Sequence, residues 1–77
     1  MPRAEDKIQS FKKLANIRVN RAIDAIRLIG NLSNKQNYEY SDSDVSKILS
    51  TLEAELKETK SRFIAQRAKN HLNKFEL

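Results

Sequence analysis

The chain has 77 residues with one glycine, one proline, one histidine and no cysteine, so it is short, almost unpunctuated and without disulfides or thiolate metal sites. Its net charge of +5 favours acidic partners but leaves the fold open. Abundant Ala, Leu, Ile, Lys, Glu, Gln and Arg make it an all-α composition, and the absence of cysteine suits a reducing, cytoplasmic setting.

No apolar run approaches the roughly 18 residues of a membrane span. The opening "MPRAEDKIQS" is polar and carries acids, unlike a secretory or transit signal. A soluble single domain over residues 1–77 is expected. A core this small is usually marginal, so it needs support from a partner.

The first element is expected over about residues 3–32. Pro2 suits a first helical turn, and Glu5 and Asp6 complement the dipole. Ile8, Phe11, Ala15, Val19, Ala22, Ile26 and Ile29 then recur at steps of three or four, one face of an amphipathic helix. Gly30 is a candidate C-cap, while Leu32 still keeps the periodicity.

"SNKQNYEY" is polar and aperiodic, a loop. Helix start signals follow: Ser41 as cap with Asp44 three residues on, and Tyr40 with Val45 in the staple positions. A second helix over about residues 42–74 carries Val45, Leu49, Leu52, Leu56, Thr59 and Phe63 as a heptad-like stripe. The stripe then shifts to Ile64, Ala68, Leu72 and Phe75.

Two long helices joined by one loop predict an antiparallel hairpin. Folding about residues 37 and 38 sets Ile26 opposite Leu49, Val19 opposite Leu56 and Phe11 opposite Ile64. The first helix also carries Leu14, Ile17, Ile23 and Leu28, more apolar surface than one partner helix covers. A second copy is the simplest partner, giving a homodimeric four-helix bundle. The alternative is an adaptor or inhibitor that docks onto another protein through these residues. The layout is similar to that of small dimeric helical-hairpin proteins, plasmid RNA-binding bundles among them. That similarity implies nothing about function.

Charge is sorted along the chain. Residues 39–55 hold Glu39, Asp42, Asp44, Glu53 and Glu55 against Lys47, whereas 57–74 hold six bases against Glu58. Solvated helices pair bases with acids one turn away. Lys57, Arg62, Lys47, Arg21 and Arg27 have such acids. Lys7, Lys12, Lys13, Arg18, Lys60, Arg67, Lys69 and Lys74 do not, and in a hairpin all eight fall at the open end. Unpaired bases in that number suit a polyanion, whose counterions are released on binding. Asn16 and Asn20 with Arg18 and Arg21 offer groups that read adenine and guanine edges.

Recognisable binding modules are missing: a zinc finger needs Cys and His, and a helix-turn-helix needs short helices about a short turn. Phe11, Phe63 and Phe75 sit at packing positions. Tyr38 and Tyr40 flank the loop and could anchor a protein partner, with loop packing the simpler role. Catalysis is not expected. His71 has no second imidazole, no nucleophile has an activating neighbour, and "LIGNLSN" lacks the lysine of a phosphate loop. Asp42 and Asp44 lack the glycine and terminal glutamate of a calcium loop. No cofactor, metal or small-molecule substrate is therefore expected.

Overall fold

The computed structural model describes residues 3–72, with side chains described for residues 3–68. Those residues form two helices and no strand, α1 (Ala4–Asn31) and α2 (Asp42–Leu72). α1 lies within one residue of its predicted span at each end, and α2 starts at the predicted residue. The expected continuation of α2 to residue 74, with Lys74 and Phe75, falls outside the described residues. The chain divides into two units, 1–39 and 40–77.

In the first unit, Arg3 is the extended residue before α1, with φ −71° and ψ 161°. Its carbonyl accepts the first helical bond, from the Lys7 N–H at 3.0 Å. Its own N–H donates to Asp6 Oδ2 at 3.3 Å. A guanidinium has no acceptor to return, so α1 begins with only one half of a capping box.

The far end of α1 decides between the two endings that the sequence left open. Gly30 is no left-handed cap: it lies inside the helix, and no residue of the described chain has positive φ. The helix tightens instead. The Leu32 N–H donates to Ile29 O at 3.0 Å and the Ser33 N–H to Gly30 O at 3.1 Å, the three-residue bonds that close many helix ends.

Asn34 then organises the loop. Its Oδ1 accepts from the Gln36 N–H at 3.0 Å, an Asx turn. Its carbonyl accepts from Asn37 at 3.2 Å and Tyr38 at 3.1 Å. The segment predicted as aperiodic loop thus contains one self-capped turn.

The second unit opens with a complete capping box. The Asp44 N–H donates to Ser41 Oγ at 3.1 Å, and the Ser41 N–H donates to Asp44 Oδ2 at 2.9 Å. Aspartate, one methylene shorter than the usual glutamate, closes the box here. Tyr40 and Val45, at the staple positions, are half-buried among exposed neighbours, as a hydrophobic staple requires.

Within α2, four hydroxyls bond back to carbonyls of the preceding turn: Ser50 and Thr51 to Lys47 O, Thr59 to Glu55 O and Ser61 to Lys57 O, at 2.7–3.2 Å. This explains how Thr59 can occupy an apolar stripe. Its hydroxyl is satisfied by its own backbone.

No described residue is buried. Leu56 is 70% exposed and Phe11 60%. Helical stability in proteins comes mostly from packing an apolar face, and in both units those faces stand open.

Candidate interaction surfaces

At about 100° per residue, α1 resolves into distinct strips. Ile8, Phe11, Ala15, Val19, Ala22, Ile26 and Ile29 fall within an arc of about 80°. Leu14, Ile17 and Leu28 share a second strip, centred about 130° away. They are 44%, 39% and 66% exposed. Ile23, grouped with them on composition, departs from that set: it lies on the opposite flank, beside Val19. The second strip therefore holds three of the four residues expected of a partner face.

The same geometry sorts the basic residues. Lys7 and Arg18, eleven residues apart, align along α1 in the seam between the two strips. Lys12 and Lys13 point about 100° from each other and away from that seam. All four are exposed, so α1 is basic around much of its circumference rather than along one edge. Asn16 and Asn20 lie about 150° from Arg18 and Arg21. One helix cannot present both pairs to one groove, which removes the Asn–Arg constellation as a base-reading set.

In α2, Lys60 and Arg67 are exposed and sit one above the other, seven residues apart, on a shoulder of the apolar stripe. Lys69 belongs to the last turns of α2, where side chains are outside those described, and Lys74 lies beyond the described residues. The side chain of His71 is outside those described as well. The apolar stripe itself is narrow, Val45 to Phe63 spanning about 80°. It ends where Gln66 and Arg67 take over the positions that continue it.

The start of α2 also tunes a carboxyl. The Asp44 carboxyl is held below its ordinary value by the Ser41 N–H first and the Ser41 side chain second, bonds that favour the carboxylate. Among the described residues no group of His, Asp or Glu is placed to hold a metal ion. No described helix is long and apolar enough to cross a membrane.

No protein-family profile, curated protein or solved structure matches this chain.

Proposed function

We propose that this chain is a small, non-enzymatic cytoplasmic protein that folds as an antiparallel hairpin, pairs into a four-helix bundle, and binds nucleic acid or another polyanion through a basic open end. Such a protein acts as a regulator or accessory factor. The observation that carries this reading is the set of exposed basic side chains, Lys7, Lys12, Lys13, Arg18, Lys60 and Arg67, none with an acid one helical turn away. Phosphate binding needs charge rather than a precise edge. Bases spread around α1 suit backbone contacts better than sequence reading.

The bundle is supported by what the helices leave open. Burying a large aliphatic or aromatic side chain contributes about 1.5–3 kcal/mol, and both helices expose several of them, Phe11, Val19 and Ile26 in α1 and Leu49, Leu56 and Phe63 in α2. A hairpin alone would cover one stripe of each helix and leave Leu14, Ile17 and Leu28 open, which is what the second copy adds.

Fluorescence anisotropy with labelled duplex DNA, single-stranded DNA and RNA hairpins, titrated across salt, tests the reading. A steep loss of affinity with salt is expected. Changing Lys12, Lys13, Arg67 and Lys69 to Glu should lower affinity by a factor of about 100 or more and flatten the salt slope, with helicity retained. Unchanged binding removes this site.

The second reading, a protein adaptor, is favoured by the strip of Leu14, Ile17 and Leu28, which the main stripe of α1 does not need. Leu14→Ser with Leu28→Ser should then abolish partner capture, and the charge reversals should not.

A further inference from the structure

We infer that two copies of this chain meet with their α2 helices antiparallel, centred between Lys57 and Glu58, so that the acidic half of each lies along the basic half of the other. The inference rests on the four-helix bundle proposed above, in which the α2 strip faces a core shared by α1 and the second copy's α2, and not on the nucleic-acid reading. It fixes the orientation of the two hairpins: their basic ends lie at opposite poles.

The deciding features all lie on α2. From residue 42 to 56 the helix carries Asp42, Asp44, Glu53 and Glu55 against Lys47; from 57 to 72 it carries Lys57, Lys60, Arg62, Arg67 and Lys69 against Glu58. Its apolar row, Val45, Leu49, Leu52, Leu56, Thr59 and Phe63, alternates steps of four and three, the seam of a coiled coil. All but the half-buried Val45 and Leu52 are exposed. Back-bonding of the Thr59 hydroxyl to Glu55 O at 2.9 Å lets that residue enter a seam as a methyl group.

Charged residues flank the seam in two rows. Glu53, Lys60 and Arg67 run along one side, Glu55 and Arg62 along the other. When two seams pair antiparallel, each row faces its own counterpart. One alignment sets Leu56 opposite Thr59 and Leu52 opposite Phe63 of the second copy. The same alignment sets Glu53 opposite Lys60 and Glu55 opposite Arg62. Two-fold symmetry doubles each pair, so four oppositely charged pairs form with no like-charged one among these residues.

A parallel pairing brings the two different rows together. Glu55 would then meet Lys60, but Arg62 would meet Arg67. An antiparallel slip of one heptad would match Val45 and Leu49 with Phe63 and Thr59, yet set Glu53 on Glu53 and Glu55 on Glu55. Flanking charge pairs are individually weak, but they choose orientation and register where apolar contacts are permissive.

The chain has no cysteine, so Ser43→Cys and Ser61→Cys each provide a unique spin-label site away from the seam, read by pulsed dipolar spectroscopy on the full chain. At about 1.5 Å of rise per residue, the proposed register offsets the two Ser43 labels by about 44 Å along the axis and the Ser61 labels by about 10 Å. Offsets of about 33 and 21 Å would show the slipped register and overturn the charge-set alignment. Short distances at both sites would show a parallel dimer and overturn the inference.

Glu53→Lys should weaken dimerisation several-fold in sedimentation, and adding Lys60→Glu should restore it. A parallel pair would be indifferent to the first change and worsened by the second, which also overturns the proposal. A monomeric wild-type chain overturns it outright. Antiparallel distances without nucleic-acid binding would instead sink only the functional reading.

Discussion

The two helices are similar in length and opposite in design. α1 spreads its apolar residues over two strips with basic residues in the seam between them, and starts on an arginine that offers no cap acceptor. α2 keeps one narrow strip, starts on a closed capping box, and divides its charge end from end. The difference teaches where each helix draws its definition. α2 is specified locally at its start and by pattern along its length; α1 depends more on what covers it.

The largest test of that contrast removes an apolar anchor from the helix with only one strip. Leu56→Ala is expected to cost about 2–3 kcal/mol and to shift the midpoint of a concentration-dependent urea transition. A loss below about 0.5 kcal/mol would mean that the α2 strip faces water, and the hairpin reading would fail with it.

The caps give a smaller and cleaner comparison. Ser41→Ala should lower stability by about 1 kcal/mol, whereas Arg3→Ala should change little and Arg3→Ser should gain up to about 1 kcal/mol by supplying the missing acceptor. Thermal melts of the three variants suffice. Equal losses at both ends would show that the boxes do not differ in strength.

Gly30 offers a test of similar size and opposite sign. It sits in α1 with negative φ, and an added Cβ would meet nothing within 4 Å. Gly30→Ala should therefore stabilise by about 1 kcal/mol. If it weakens dimerisation instead, another backbone approaches α1 there.

The smallest effect is the pH dependence of the α2 cap. Because the folded Asp44 carboxyl is depressed by the Ser41 N–H and side chain, its contribution is present above the unfolded-state value. It fades as pH falls through the folded one. Asp44→Asn should flatten that part of the acid limb in helicity measured by circular dichroism, and an unchanged limb would assign it to other carboxylates.

Much of this was legible in the residues alone, for reasons that separate cleanly. Periodicity and capping chemistry are local, so the two helices and the Ser41–Asp44 box could be read from spacing. Gly30 left the end of α1 open because glycine is permissive: its presence allows a left-handed cap without requiring one, and the last turn closed through three-residue bonds instead. The Asn34 turn was hidden because its polar residues resemble any loop until one side-chain oxygen is seen to accept. On the surface, helical spacing within each pair made Asn16 and Asn20 look like companions of Arg18 and Arg21. Accumulated rotation puts them on different sides of α1.

One feature of both units bears on time rather than on stability. The hydrogen bonds described above span four residues or fewer, so each helix can zip in about a microsecond with no long loop to close first. In the proposed bundle the last apolar cover comes from a second copy, so the slow step becomes encounter between molecules. Its refolding should speed up in proportion to chain concentration, and its lifetime as a folded protein should shorten on dilution.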